Sequence, residues 1–248
     1  MARIFNSIRR RLLTQNRFTH YLVYATGEIV LVVVGILLAL GINQWNNLRN
    51  ERELEVKILT EIRKNLDFDL FEINEDITLM DSISRSCDTV LVVMAGTAKP
   101  SERFAYELNK LRVTPHFDPN MSGYELLVSK GVELVTNDSL RKAISGLYES
   151  RYPYYGRYEQ ERINWISQNL EPMLLDYVTL IAKPDVFFLS SSAITEKDLM
   201  RLKANEAFPK MVGAVAVENM YVKDRAKRVA AEITRLCALI DNELEDRP

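Results

Sequence analysis

From Tyr21 to Trp45 the chain reads YLVYATGEIVLVVVGILLALGINQW, with Glu28 as its single charge. A helix of about 20 apolar residues, rising roughly 1.5 Å per residue, crosses a hydrocarbon core of roughly 30 Å. The run therefore predicts a membrane-spanning helix over residues 21–45. Tyr21, Tyr24 and Trp45 stand where aromatic side chains mark the membrane–water interface. This segment has lipid as its expected solvent, and the rest of the chain has water.

Residues 1–20 carry Arg3, Arg9, Arg10, Arg11 and Arg17 and no acid, whereas Arg49, Arg52 and Lys57 alternate with Glu51, Glu53 and Glu55. Lys and Arg near the end of a span favour the cytoplasmic side. The expected layout is a cytoplasmic basic tail (1–20), the span (21–45) and a periplasmic domain (46–248). A cleaved export signal is the competing reading, because Arg9-Arg10-Arg11-Leu12-Leu13 loosely resembles a twin-arginine signal and Ala39-Leu40-Gly41 offers small residues for cleavage. Against it, the apolar run passes directly into a helical pattern rather than a turn.

Within the span, Gly27, Leu31, Gly35, Ala39 and Asn43 recur every fourth residue. Small residues on one face let a second helix approach closely, and in lipid that packing drives association. Glu28 lies beside this face. It is read either as an interfacial carboxylate that snorkels or binds an Arg of the tail, or as a buried carboxylate pairing across an oligomer or lining a pathway.

The segment after Trp45 is polar and reads as helical. Nine Gly and eight Pro in 248 residues, with 27% charged residues, favour long helices over a turn-dense β fold. The formal charge of −2 combines +4 over residues 1–45 with −6 beyond them. A mildly acidic body does not suggest nucleic acid. Leu54, Ile58, Ile62, Leu66, Leu70, Ile73, Ile77 and Met80 predict an amphipathic helix that continues the span and ends near Gly96. Ser101 is placed to cap a short helix that stops at Thr114-Pro115, Ser122 and Glu125 fit a capping box, Gly131 suits a helix end, and Asn137 suits the next cap.

A third long element is expected from Leu140 to about Ile181, kinked at Pro153 and again at Pro172. After a loop around Lys183 to Ser192, Thr195 begins another short helix. In the last helix Val212, Val215, Asn219, Val222, Ala226, Val229, Ile233, Leu236 and Ile240 form a heptad seam of coiled-coil type with one polar member, Asn219. Such a residue fixes register, so on pattern alone Asn219→Leu is expected to be tolerated. The resulting fold class is all-α, an N-terminal transmembrane helix followed by an elongated antiparallel helical bundle.

The residues of the span, Tyr21 to Leu40 followed by Ile42-Asn43-Gln44-Trp45-Asn46, resemble a family of uncharacterised single-span proteins of Gram-negative bacteria. A second stretch of resemblance runs from Tyr124-Glu125-Leu126 through Ser129, Gly131, Leu134 and Asn137 to Leu140-Arg141. Gly41 departs from the polar residue, usually Gln, expected there. The resemblance implies a membrane-anchored helical protein and supplies no activity or catalytic residue; the expected location is the bacterial inner membrane.

Motifs that carry chemistry are missing from the sequence. It has no Gly-rich phosphate loop, Gly-x-Ser-x-Gly turn, His-Glu-x-x-His or Cys-x-x-Cys. His116 with Asp118 is too few ligands for a metal site. Cys87 and Cys237 fall on or beside apolar faces and are expected to be free, buried thiols. No catalytic residue, metal or cofactor is implied. The candidate recognition patch is the aromatic and basic cluster Tyr148, Arg151, Tyr152, Tyr154, Tyr155, Arg157 and Tyr158, weighed against simple packing around a kink. The leading expectation is a non-enzymatic protein that contacts lipid and either itself or another membrane protein. The alternatives are a homo-oligomeric channel or transport-associated subunit using Glu28, and an enzyme with no recognisable motif.

Overall fold

The computed structural model describes residues 18–97, 99–181 and 191–245. The tail arginines Arg3, Arg9, Arg10, Arg11 and Arg17, and most of the loop expected around Lys183, lie outside the described residues. Helix α1 spans Phe18–Ala95 and is followed by α2 (Glu102–Lys110), α3 (Ser122–Lys130), α4 (Asp138–Gly146), α5 (Tyr152–Trp165), α6 (Glu171–Leu175), strands β1 (Thr179–Ile181) and β2 (Ser191–Ala193), α7 (Glu196–Lys203) and α8 (Ala207–Glu245). The all-α class is what the structure shows. The chain divides into two compact units, Met1–Glu55 and Val56–Pro248.

In the first unit the described residues are helical, and the apolar side chains are exposed all the way round, from Leu22 through Val30, Val34 and Leu38 to Ile42 and Trp45. No neighbouring atom lies within 4 Å of where a Cβ would stand on Gly27, Gly35 or Gly41. A core helix of a water-soluble domain would bury such a surface.

The second unit is built on three long helical segments. Arg63 donates to Asp241 at 2.8 Å and Lys223 to Asp81 at 2.6 Å, so α8 runs antiparallel to this part of α1. Helix α5 lies against both, through Tyr152 to Asp69 and Arg162 to Asn219. The stripe of α1 buries Ile58, Ile62, Leu66, Ile73 and Met80, and every member of the α8 seam from Val212 to Ile240 is buried. Burying side chains of this size contributes about 1.5–3 kcal/mol each, which is what holds the three segments together. A further core joins Ile83, Cys87 and Val90 of α1 with α2, α6, α7 and Phe208 of α8. Both cysteines are free and buried, and burial pushes the Cys87 thiol up to about 11.

Three local expectations hold in detail. Ser101 accepts from the Phe104 amide at 3.1 Å, Asn137 accepts from the amides of Ser139 and Leu140, and Gly131 ends α3 with φ of 95°. The Ser122/Glu125 capping box does not form. The N-cap of α3 is Met121, and the Ser122 hydroxyl is drawn instead toward Asn65 and Asn120.

The third long element is interrupted rather than simply kinked. A π turn, Leu147–Arg151, precedes Pro153, and a second, Ile166–Leu170, precedes Pro172. Proline has no N–H and crowds the carbonyl four residues back, so a wider turn just before it relieves the clash without ending the helix. The helix expected to reach Ile181 stops at Leu175. Thr179–Ile181 pairs antiparallel with Ser191–Ala193, with Leu180 opposite Ser192. The short run Val178-Thr179-Leu180-Ile181 is rich in β-branched residues that favour extended backbone.

Candidate functional site

Helix α5 is the element on which chemistry concentrates, and its two faces differ. Tyr148 in the preceding π turn, with Tyr152 and Tyr155 of α5, points inward and is buried, while Tyr154 and Arg157 face out and Tyr158 is half-buried. A spacing of three or four residues puts positions on one helix face, and so divides the seven candidates into two groups. Arg151 is exposed and pairs with Glu232 of α8 at 3.0 Å.

The inner tyrosines form a ring cluster. Tyr148 stacks on Tyr124 with centroids 4.6 Å apart and meets Tyr152 edge-on at 5.2 Å, and Phe117 meets Tyr152 at 5.4 Å. The Tyr152 hydroxyl donates to Asp69 at 2.7 Å, and the same carboxylate accepts from the Asn120 amide at 2.9 Å. Burial raises the Asp69 pKa, and these two hydrogen bonds oppose the rise.

Below the tyrosines, α5 carries Glu159 and Arg162, each almost fully buried. Glu159 accepts from the Phe117 amide at 3.2 Å, and its other oxygen lies 3.6 Å from Nδ1 of the more exposed His116. Burial pushes the Glu159 carboxyl up to about 8 and that of Asp76, facing it from α1, up to about 6. Arg162 donates to the Val113 carbonyl at 3.1 Å and to Asn219 at 3.2 Å, and no carboxylate lies within 4 Å of it among the described residues. Asn219 in turn donates to the Met80 carbonyl at 2.7 Å and to the Ser84 hydroxyl at 2.9 Å. Asp76 Oδ2, Arg162 Nε and the hydroxyls of Tyr148 and Tyr155 are buried without a hydrogen bond of ordinary geometry, although Tyr155 adjoins Glu159.

Among the described residues no group of three or more His, Cys, Asp and Glu side chains is arranged to hold a metal. The interior constellation can hold and move a proton or fix the register of three helices. Sequence reasoning missed it, though a signal existed: Asp69 and Asp76 continue the apolar stripe between Leu66, Ile73 and Met80, and Glu159 and Arg162 continue the tyrosine face toward Ile166. Charges at core positions are the anomaly to look for.

The outer face is a stacked surface. Arg225 of α8 lies 3.7 Å from the Tyr158 ring centroid, Arg157 lies 5.3 Å from that of Tyr154, and the two tyrosine rings are 5.0 Å apart. Arg225 also donates to the Tyr221 carbonyl at 3.0 Å, and the Tyr221 side chain is exposed. The neighbouring Tyr158 hydroxyl and Arg225 lower the Tyr154 pKa. In the other unit, Glu28 is exposed, as are Gly27, Gly35, Ala39 and Asn43 along the same helix.

Comparison with known proteins adds one match: a family of unknown function, DUF6090, over residues 28–183. The chain belongs to that family. The DUF6090 match contains Glu28, Gly35, Ala39 and Asn43, all seven tyrosine and arginine candidates, and Glu159 with Arg162. It stops before α7 and α8, so Asn219, Tyr221 and Arg225 fall outside it. No curated protein and no solved structure matches the chain.

Proposed function

We propose that this DUF6090 protein is a single-span membrane protein, with a cytoplasmic tail and a periplasmic helical domain that acts by binding a protein partner rather than by catalysis. The reading of a span rests on an apolar helix long enough to cross a bilayer and uncovered on every side. The docking surface is the outer face of α5 with the adjoining turn of α8: Tyr154, Arg157, Tyr158, Tyr221 and Arg225.

One observation carries this choice. Arg157 is held over the exposed Tyr154 ring and Arg225 over the half-buried Tyr158 ring, with no carboxylate within 4 Å of either among the described residues, so their charge is available to a ligand. Tyrosine and arginine dominate interface energetics, and guanidinium groups already stacked on rings lose little freedom on binding. The complementary partner is an acidic segment.

A photocrosslinking residue in place of Tyr154, in full-length protein in its native membrane, tests the reading. The expected result is one discrete adduct that is lost in an Arg157→Glu, Arg225→Glu background and absent with the crosslinker at Lys142. Equal labelling at both positions refutes the docking surface. A second reading, a homo-oligomeric channel or transport subunit, is favoured only by Glu28 standing in the apolar run beside Gly27, Gly35 and Ala39. Ion flux in reconstituted vesicles that is lost on Glu28→Gln would favour it.

A further inference from the structure

Among the described residues, two buried polar atoms that lack hydrogen bonds, Asp76 Oδ2 and Arg162 Nε, belong to the charged neighbours of one carboxylate, that of Glu159, which also adjoins the Tyr155 hydroxyl. Orphaned polar atoms in a helical core are rare, because each has lost its hydration without gaining a partner. Their gathering around a single titratable group marks a place where the protein holds a proton. Glu159 also does a mechanical job. Through the Phe117 amide it fastens the connection between α2 and α3, residues 111–121, to α5, and the Phe117 ring packs on Tyr152 and Tyr155.

We propose that Glu159 is a proton-operated latch: protonated, it holds residues 111–121 on α5, and ionised, it releases Phe117 and turns toward His116 and solvent. Burial, with the neighbouring Asp76, sets this direction and outweighs the hydrogen bonds from Tyr155 and Phe117 and the charge of Arg162, which favour the ionised form. From α1 it faces Asp76, which is itself flanked by Glu72 and Glu75. From the connection it faces His116, and from its own helix Tyr155 and Arg162. Helix α8 contributes Asn219 and Glu218, both acting on Arg162.

The nearest permanent cation is thus already committed, because Arg162 donates to Val113 and Asn219 and makes no contact with Glu159 within 4 Å. An ionised Glu159 sits beside Asp76 with no permanent cation in contact, and a buried charge in that position must be hydrated or moved. His116, with 57% of its side chain exposed and Nδ1 3.6 Å from Glu159, links the carboxylate to the surface. A neutral Glu159 still accepts the Phe117 hydrogen bond and carries no buried charge beside Asp76.

Infrared difference spectroscopy and amide hydrogen exchange on full-length protein in lipid nanodiscs, across pH 5 to 9.5, test the latch. The expected result is a protonated-acid carbonyl band that persists at neutral pH, disappears with a midpoint near 8, and is missing in Glu159→Gln. Exchange of the Phe117 amide, corrected for its intrinsic pH dependence, should accelerate at least tenfold over the same interval in wild type and stay slow in Glu159→Gln. Asp76→Asn should lower the midpoint, and it provides the test if Glu159→Gln fails to fold. The proposal is overturned if no carboxyl band survives to neutral pH, if the band titrates while Phe117 exchange stays constant, or if Asp76→Asn leaves the midpoint unchanged.

Discussion

Gly123 is the position where a single methyl group should do the most damage for its size. A Cβ built there would lie 2.8 Å from Asn65 Oδ1 and 2.9 Å from both Cγ1 and the backbone nitrogen of Ile62. Two of those atoms belong to side chains and can shift, but the third is main chain in the middle of α1 and cannot. The first turn of α3 is therefore expected to move away from α1. Overpacking of this kind costs about 1–3 kcal/mol. The retreat also weakens the 2.9 Å hydrogen bond from the Gly123 amide to Asn65, adding about 0.5–1.5 kcal/mol. Alanine's higher helix propensity returns at most about 1 kcal/mol. The net expectation for Gly123→Ala is a loss of about 0.5–4.5 kcal/mol. Gly156 is the internal control, because it stands within α5 with nothing within 4 Å of its would-be Cβ. Gly156→Ala should therefore gain about 0.5–1 kcal/mol. Urea unfolding of the full-length protein in mild detergent, followed by far-ultraviolet circular dichroism, measures both. If Gly123→Ala unfolds at the wild-type urea concentration, or if both variants shift the same way, the close approach of α3 to α1 is wrong.

Asn219→Leu, which the seam pattern alone would tolerate, should destabilise by about 1–3 kcal/mol in the same assay, because it strips a hydrogen bond from buried Arg162. Stability should fall as pH rises from about 4.5 toward 8: the folded state holds Glu159 protonated over that interval while the unfolded state does not, so the contribution is complete below the unfolded pKa and lost above the folded one. Chemical denaturation at a series of pH values should show that slope flattened by Glu159→Gln, and an unchanged slope would count against a buried neutral carboxyl. A reporter fused after Pro248 should be active only if it functions in the periplasm, and cytoplasmic activity reverses the proposed orientation. Gly35→Leu should reduce self-association in a membrane two-hybrid assay, whereas a full signal would leave the span a plain tether.

The sequence by itself determined the apolar helix, most of the α1 stripe and the α8 seam, because a repeat of three and four residues is written locally and every seam residue from Val212 to Ile240 is buried. It also determined the caps at Ser101 and Asn137 and the turn at Gly131, where one residue's own chemistry fixes the backbone. Proline at 153 and 172 announced a disturbance but not its form, since a π turn and a kink both relieve the same clash. Tertiary structure alone decided that Tyr148, Tyr152 and Tyr155 turn inward while Tyr154, Arg157 and Tyr158 turn outward. It also decided that Ser122 serves Asn65 rather than its own helix, and that Asp69, Asp76, Glu159 and Arg162 share the interior. Those outcomes depend on partners distant along the chain, such as Asp69 for Tyr152, 83 residues away, and a local pattern holds no record of which distant side chain will occupy the facing position.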